Sequence, residues 1–521
     1  MTTPPDRTPP DRTPPARDPP ARDLPVHEAD VHELGLLVRA HHPLVFVDGY
    51  DHGAIIGLLG AVARAEGLPF FVWTAHEGLS RQGAGDGAVY KTEKPSACLA
   101  HLKSADQEAV TFLAGFEGYL SEPDIQSRLV ELHDRFARHR GTLVLAGDPS
   151  RLPASVSGLF TVLHLRTPTR EAYHAYVSEV LSEVKSRMAV VVELTPRDVS
   201  ELIEHLYGMP FHEVRKIITQ AVVDDGRLDQ GDLATVLDAK RRIIERLGTL
   251  EFIPVESGSA QLAGLSKLKI WLEKRRMAFV EPARARVLGL PPPRGLLLTG
   301  VQGCGKSLAA RSVSAAFGLP LLRLDPGSLY RKYFGESEAN MRTALRTAER
   351  VAPCILWIDE IEKAFGRGGD ADGGTAQRIL GSFLTWLQEK DETVFVMATA
   401  NDISDLPPEL LRKGRFDEIF FVDLPSQEVR VHILALHLAA RKLDPTTFDL
   451  EVLATSAEGF SGAEIEQAVV SGMYSGLSAN RTLDTELLLG EIEGTQPLSV
   501  TMSEKVEALR SWARQRAVFV D

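Results

Sequence analysis

The stretch GVQGCGKS, residues 300–307, decides how the second half of the chain folds. It fits the pattern G-x-x-x-x-G-K-[ST], with Gly300, Gly305, Lys306 and Ser307 at the fixed positions. An apolar run typical of a buried strand, RGLLLTG, precedes it, and a helix-forming run, SLAARSVSAAFGL, follows it. A strand, a glycine loop and a helix in this order bind phosphate through backbone N–H groups at a helix N-terminus. A chance glycine turn is the alternative, and these flanks disfavour it.

The loop therefore predicts a nucleotide site. Lys306 is placed to reach the β- and γ-phosphates, and the Ser307 hydroxyl is placed to ligate Mg²⁺. A cysteine inside the loop could act as a redox switch, but we favour a small residue at a tolerant position, because nothing in the sequence indicates a reactive thiolate. The predicted contacts to the nucleotide in and beside the loop are Gly300, Val301, Gln302, Gly303, Cys304, Gly305, Lys306, Ser307 and Leu308.

Two further apolar strands end in polar residues that suit hydrolysis of a phosphate bond. The run CILWIDEIEKAF, 354–365, places Asp359 and Glu360 after a strand, where Asp359 would hold Mg²⁺ and Glu360 would polarise the attacking water. The run TVFVMATAN, 393–401, ends in Asn401, an amide that could orient that water. An acidic helix cap alone is the simpler alternative for Asp359 and Glu360.

A polar turn with two arginines follows. In LLRKGRFDEIFFVDLP, 410–425, Arg412 and Arg415 stand three apart. A guanidinium stabilises charge on a transferred phosphoryl group, and an arginine supplied by a neighbouring subunit makes hydrolysis depend on assembly. We therefore predict that Arg412 and Arg415 act catalytically, together with Glu360 and Asn401.

The motifs GVQGCGKS, WIDE, ATAN and RKGRFD stand in the order found in AAA-clade ATPases, and the stretch from about 255 to 490 resembles that module. Over almost all of the second half, the sequence is similar to that of one subfamily, the hypothetical chloroplast reading frame forty-six proteins and their bacterial relatives. The resemblance implies an α/β fold: a P-loop AAA module, with a parallel sheet, flanking helices and a helical lid. It also implies Mg²⁺-dependent hydrolysis of ATP.

The same resemblance assigns three more segments. LAGLSKLK, 262–269, resembles the segment that contacts adenine, which implicates Gly264. GFSGAEI, 459–465, resembles the lid segment near the ribose, with Gly462 and Ala463 small enough for close approach. In the same run, Ser461 and Glu464 form a capping-box pattern that predicts a helix start. YFGESE, 333–338, resembles a pore loop, in which Tyr333 and Phe334 would grip a protein chain; packing against a helix is the alternative.

Composition limits the classes of partner. The chain has 521 residues, 44% hydrophobic content and a formal net charge of −13. That charge argues against a protein that coats nucleic acid, since neutralising phosphates needs a basic face. The three cysteines form neither a metal spacing nor a disulfide framework. The sequence shows no bilayer-spanning apolar run and no apolar signal core, so we expect a cytoplasmic protein without membrane partners.

Composition and hydrophobic patterning divide the chain into five predicted segments. Residues 1–23 are a disordered Pro-rich tail of near-identical pentads. Residues 24–165 alternate strands and helices like the ATPase core but have no Gly-Lys-Ser, which indicates a degenerate, nucleotide-free AAA-like α/β domain; a separate Rossmann-like domain is the alternative. Residues 166–250 form a helical lid-like bundle. Residues 251–425 are the ATPase core, and 426–521 are the lid and C-terminal helices.

Two functions fit this layout. The first is an ATP-driven ring, a homo-hexamer by resemblance, that remodels or threads a protein client. The second is an ATP-gated switch or scaffold, whose first half binds a partner without threading. Neither the client nor the partner is identified by the sequence.

Overall fold

A computed structural model describes residues 27–49, 51–83, 88–89, 91–105, 108–139, 141–166, 168–246, 248–254, 263–280, 282–329, 336–365, 375–390, 393–412 and 414–521. The chain divides between Val236 and Leu237 into two compact units. The Pro-rich tail, together with Tyr333 and Phe334, lies outside the described residues.

The first unit begins with a six-stranded sheet in the order β3-β2-β4-β5-β1-β6. Its strands are parallel except β3, which pairs antiparallel with β2. The strands are β1 (Leu44–Asp48), β2 (Phe70–Thr74), β3 (Gly78–Arg81), β4 (Val110–Leu113), β5 (Thr142–Gly147) and β6 (Thr161–His164). The helices are α1 (Glu28–Arg39), α2 (His52–Glu66), α3 (Pro95–Ser104), α4 (Pro123–His139) and α5 (Ala154–Ser157).

Alternation along the first strand explains why this sheet is covered on both faces. Leu44 and Phe46 belong to one buried cluster, and Val45 and Val47 belong to another. Successive side chains of a strand point to opposite faces, so an unbroken apolar run needs packing on both sides. The predicted strands at 43–49, 109–116 and 141–149 are confirmed, whereas β2, β3 and β6 were not predicted.

A helical segment follows the sheet. It contains α6 (Arg170–Arg187), β7 (Val191–Val192), α7 (Pro196–Leu206), α8 (Phe211–Asp225), β8 (Arg227–Leu228) and α9 (Gln230–Arg246). Thr195 and Asp198 form a capping box that starts α7. The short strands β7 and β8 pair in parallel. The predicted helical character of this part of the chain is confirmed.

The second unit is built on a seven-stranded sheet in the order β15-β14-β10-β13-β12-β11-β9. Only β9 is antiparallel, at the β11 edge. The strands are β9 (Leu250–Ile253), β10 (Gly295–Gly300), β11 (Leu321–Leu324), β12 (Cys354–Ile358), β13 (Val394–Ala400), β14 (Glu418–Val422) and β15 (Val518–Phe519). The predicted strands at the glycine loop, before Asp359 and before Asn401 are confirmed as β10, β12 and β13.

Helices cover this sheet and continue beyond it. Those before Ser426 are α10 (Ser266–Val280), α11 (Pro282–Val287), α12 (Lys306–Phe317), α13 (Pro326–Leu329), α14 (Glu336–Val351), α15 (Ile361–Phe365) and α16 (Thr375–Glu389). Those after it are α17 (Gln427–Ala440), α18 (Leu450–Ser456), α19 (Gly462–Ser478), α20 (Thr485–Glu493), α21 (Leu498–Thr501) and α22 (Ser503–Arg516). Helices α17 to α20 share their own buried cluster, which forms the lid.

Five parallel strands of each sheet share one order, and the second sheet adds the parallel strand β15 at its β14 edge. In the first unit the order is β6-β1-β5-β4-β2, and in the second it is β14-β10-β13-β12-β11. Numbered along the chain within each unit, both read 5-1-4-3-2. The strand that precedes the glycine loop in the second unit, β10, therefore has β1 as its counterpart. The fold is an AAA-like α/β domain followed by an AAA module, as predicted.

Candidate nucleotide site

The glycine loop joins β10 to α12 and depends on three left-handed backbone positions. Gly300, Gly303 and Gly305 have φ values of 141°, 78° and 84°. A Cβ at Gly300 would overlap the carbonyl of Val422 on the neighbouring strand β14. Only glycine fits this close backbone approach, and glycine places no side chain at this position.

Lys306 is the first residue of α12 and lies folded beneath the loop. Its ammonium Nζ donates to the carbonyls of Gly300 at 2.9 Å and Val301 at 2.8 Å. The residue is 6% exposed, and burial lowers the pKa of Lys306 to about 8. The desolvated cation is held by loop carbonyls, and a bound phosphate would favour its charged form.

Ser307, Asp359 and Thr399 meet at the ends of their elements. Oδ1 of Asp359 accepts from the Thr399 hydroxyl at 2.6 Å and from the Ser307 hydroxyl at 3.2 Å. Carboxylate and hydroxyl oxygens are the hard ligands that Mg²⁺ takes beside phosphates. The structure therefore brings together Ser307 and Asp359, the two predicted Mg²⁺ ligands, and their donor atoms fit that ion. Thr399 was not predicted, because a threonine inside an apolar strand gives no signal in the sequence.

Glu360 sits at a backbone position that most residues avoid. Its φ is 51°, and its backbone N–H donates to the Thr399 hydroxyl at 3.0 Å. Its Oε1 accepts from the Asn401 side-chain amide at 2.9 Å, and Lys363 forms an ion pair with Oε2. The predicted pair, Glu360 and Asn401, is thus joined directly, and the second carboxylate oxygen is held by a lysine that was not predicted.

A second acidic residue, Glu362, forms a hydrogen bond with the backbone of Asn401. Oε1 of Glu362 accepts the Asn401 backbone N–H at 2.9 Å. Burial raises the pKa of Glu362, and its Oε2 is buried without a hydrogen-bond partner among the described residues. Sequence reasoning missed Glu362 because an acidic residue at the start of a helix is ordinarily a solvated one.

The lid contacts the glycine loop at the predicted segment. Ser461 caps α19 and forms a full capping box with Glu464, which confirms the predicted helix start. The backbone N–H of Ala463 donates to the Gly303 carbonyl at 3.0 Å, and a Cβ on Gly462 would lie 3.4 Å from the same oxygen. Small residues at 462 and 463 thus let the lid reach the loop.

Gly264 lies against the lid helix α17 and the last residue of the chain. A Cβ at Gly264 would lie 2.9 Å from Oδ2 of Asp521 and 3.2 Å from Cγ2 of Val429. Four residues later along α17, Ile433 faces Gly462. The segment assigned to adenine and the segment assigned to ribose therefore adjoin the same helix.

The two arginines lie in the turn between β13 and β14. Arg412 is exposed, and Nη1 of Arg415 donates to the Glu409 carbonyl at 2.8 Å. Asp417 fastens the turn to β10 by accepting the backbone N–H groups of Arg294 at 2.7 Å and Gly295 at 3.0 Å. The turn is thus a fixed part of the sheet edge, while Arg412 faces outward.

Cys304 is not activated. Burial raises the pKa of Cys304 to about 12, and the nearby Lys306 offsets this only in part. The thiol is protonated at neutral pH, and a thiol reacts through its thiolate. The chemistry favours a small residue filling the loop over a redox switch.

In the first unit a carboxylate stands at the corresponding helix N-terminus. After β1 the chain reaches Asp51, whose Oδ1 accepts the Ala54 backbone N–H at 3.1 Å and caps α2. Asp51 thus supplies the negative charge that a phosphate would bring to a helix N-terminus, and would repel a phosphate there. That the first domain does not bind nucleotide stays a prediction.

Within the part of the chain that the structure describes, no helix is long and apolar enough to cross a membrane.

Models of three known domain families together match most of the chain. The profile of the ATPase family associated with various cellular activities (AAA) matches residues 296–424. The N-terminal domain of SpoVK-like AAA ATPases matches residues 30–165, and their second domain matches residues 171–247. The site residues from Gly300 to Asp417 fall in the first of these matches.

Individual relatives extend this likeness. The uncharacterized AAA domain-containing protein ycf46 of Pyropia yezoensis is 33% identical over 488 residues, covering 92% of this chain and 96% of the relative. The ycf46 protein of Guillardia theta is 33% identical over 490 residues, covering 92% and 94%. The proteasome-activating nucleotidase of Aeropyrum pernix is 36% identical over 201 residues, covering 38% and 49%.

The pKa of Lys306 predicts how nucleotide binding depends on pH. A triphosphate holds the ammonium charged, so the pKa of Lys306 rises on binding, and binding takes up a proton above pH 8. Affinity for Mg·ATP is therefore constant below pH 8 and falls up to about tenfold per pH unit above it. Titration with a fluorescent ATP analogue between pH 7 and pH 9.5 measures this, with Lys306→Arg, which stays charged, as control. Equal slopes in both proteins would contradict the assignment.

Proposed function

Because the chain belongs to the ycf46 family of AAA domain-containing proteins, we propose that it is a Mg²⁺-dependent ATPase that works as a ring and remodels a protein client. The motif resemblance to this family is confirmed by relatives that match over most of their length. The family is one of ATPases, and the proposal adds the metal, the assembly and the client.

One observation carries the ATPase proposal. The hydroxyl of Ser307, the carboxylate of Asp359 and the Glu360–Asn401 pair lie together at the strand ends beside the glycine loop. A loop that binds phosphates and an acidic cluster that binds a metal are the two parts that phosphoryl transfer needs. In this proposal Ser307 and Asp359 hold Mg²⁺, which neutralises charge on the phosphates when bound.

Glu360 is the proposed general base. Its carboxylate is held on one side by the Asn401 amide at 2.9 Å and on the other by Lys363. Two fixed partners orient the carboxylate so that it can accept a proton from water that attacks the γ-phosphate. The Asn401 amide is bonded to Glu360 and would orient the same water.

The ring follows from the arginines. Arg412 is exposed on a turn that Asp417 fixes to β10, so its guanidinium can enter the site of a neighbouring subunit. Arg415 supports the turn through the Glu409 carbonyl. A residue supplied from one subunit to the next implies head-to-tail contacts that close into a ring, and we propose a homo-hexamer acting in the cytoplasm.

A protein client is favoured by one relative. The proteasome-activating nucleotidase of Aeropyrum pernix is named for an action on a protein machine, and it matches 38% of this chain. We propose by analogy that hydrolysis here also acts on protein, with Tyr333 and Phe334 as the gripping residues. The second candidate, an ATP-gated switch, is favoured by the first unit, which keeps the AAA strand order but carries Asp51 at the phosphate position.

Glu360→Gln tests the proposed chemistry. Glutamine keeps the size of the side chain and a contact to Asn401 but cannot take a proton, so ATP binds while hydrolysis falls about 10²- to 10⁴-fold. Phosphate release and nucleotide binding are measured in parallel. Glu389→Gln, an exposed glutamate on α16, is the control and should hydrolyse at the wild-type rate. Near-wild-type turnover in Glu360→Gln would show that another group activates the water.

An unfolded protein separates remodelling from switching. If the ring grips a chain, a permanently unfolded protein stimulates the wild-type ATPase, whereas Tyr333→Ala hydrolyses ATP at the basal rate without stimulation. Aromatic side chains grip many sequences because they bury large area with little loss of side-chain entropy. Steady-state hydrolysis with and without the unfolded protein gives the answer. A wild-type rate that does not respond to the unfolded protein supports the switch.

A further inference from the structure

The end of the chain is fastened around the nucleotide site. We name residues 498–521, which contain α21, α22 and β15, the C-terminal strap. At its start, the backbone N–H of Leu498 donates to Oε1 of Glu464 at 2.7 Å. The other oxygen of Glu464 closes the capping box with Ser461. Glu464 directly follows Ala463, whose backbone N–H donates to the glycine loop. The strap thus begins on the lid.

Helix α22 then contacts the core beside a site residue, Asn401. Nζ of Lys505 lies 2.7 Å from Oδ2 of Asp402, the residue directly after Asn401. Lys505 holds the pKa of the Asp402 carboxyl below its usual value. The strap is therefore anchored next to the amide that orients Glu360.

Arg510 anchors the strap beneath the glycine loop. Its Nε lies 3.0 Å from both carboxylate oxygens of Asp423, and its Nη2 lies 2.9 Å from Oδ1. Asp423 directly follows Val422, whose carbonyl accepts the Val301 backbone N–H at 3.0 Å. The same carbonyl is the one that leaves room only for glycine at 300. A forked guanidinium–carboxylate pair fixes direction as well as distance.

The strap ends at the segment assigned to adenine. Val520 is buried, and its N–H donates to the Phe421 carbonyl, which extends the pairing of β15 with β14. Oδ1 of Asp521 accepts the Ser266 backbone N–H at 3.0 Å, and Lys267 donates to the Asp521 carbonyl at 2.8 Å. Oδ2 of Asp521 faces Gly264.

Packing alone does not explain where the polar contacts of the C-terminal strap lie. Partly exposed ion pairs contribute little to stability, yet Lys505 and Arg510 each hold the residue next to a site group. A strap joined to the lid at one end and to the core at the other would be tightened or slackened when the lid moves. The charged contacts therefore suit control of the geometry of the site better than support of the fold.

We propose that the C-terminal strap positions the nucleotide site, with Arg510 as the positioning residue that holds the glycine loop through Asp423 and Val422. The proposal rests on the proposed ATPase function and adds a control on nucleotide release. When Arg510 is lost, the backbone beneath the loop is free to shift, and small displacements of a site of this kind have large effects on binding and rate.

Arg510→Gln in the full chain tests the proposal. The probe is ATP labelled on the ribose with N-methylanthraniloyl, bound with Mg²⁺ and chased with unlabelled ATP in a stopped-flow instrument. We expect dissociation about tenfold faster than wild type. Arg481→Gln breaks a somewhat more exposed ion pair with Asp484 in the lid and should leave the rate unchanged. Both variants should melt at the same temperature, which separates positioning from stability.

The outcomes are distinct. A double variant, Arg510→Asp with Asp423→Arg, rebuilds the pair in reverse and should restore slow release. Wild-type release in Arg510→Gln contradicts the strap proposal alone, whereas a wild-type protein that does not bind the probe contradicts the ATPase proposal beneath it. If Arg510→Gln does not fold, Arg510→Lys keeps the charge without the fork; faster release supports positioning, and unchanged release contradicts it.

Discussion

The carboxylate of Asp359 is the point on which the site depends. Its Oδ1 accepts two hydroxyls, one from Ser307 at the start of α12 and one from Thr399 near the end of β13. Thr399 in turn accepts the backbone N–H of Glu360, which holds that residue at a φ of 51°. One acceptor thus fixes the glycine loop, the end of β12 and the end of β13 relative to one another. Strain at Glu360 is maintained because its surroundings determine it from several sides.

The first unit has a similar sheet but a different sequence after its first strand. Its parallel strands have the same order as those of the second unit, and its first strand is likewise buried on both faces. At the start of α2, however, Asp51 caps the helix with its own carboxylate. We therefore expect the two units to differ in nucleotide binding despite the shared strand order, because function resides in the few groups at the strand ends and not in the sheet.

The sequence was sufficient where the signal is local. The loop 300–307, the acidic pair after β12 and Asn401 after β13 each follow an apolar run, and parallel strands bring such ends to one edge of a sheet. The capping box of Ser461 and Glu464 is equally local. The edge strands β9 and β15 were missed because they are short. In addition, β9 spans the predicted start of the core at residue 251, and β15 lies in a segment that was predicted to be helical. No spacing rule joins Ser266 to Asp521, or Asp423 to Arg510, across the length of chain between them.

The number of nucleotides bound per chain is the most direct test of the proposed site, because it detects binding by either unit. Calorimetric titration of the full chain with Mg·ATP, in the Glu360→Gln background to prevent turnover, should give one site per chain. Adding Lys306→Ala should abolish it, since the predicted phosphate loop and the proposed metal-binding carboxylate both belong to the second unit. Two sites in the first protein, or binding that survives loss of Lys306, would contradict the assignment of all nucleotide chemistry to residues around Asp359.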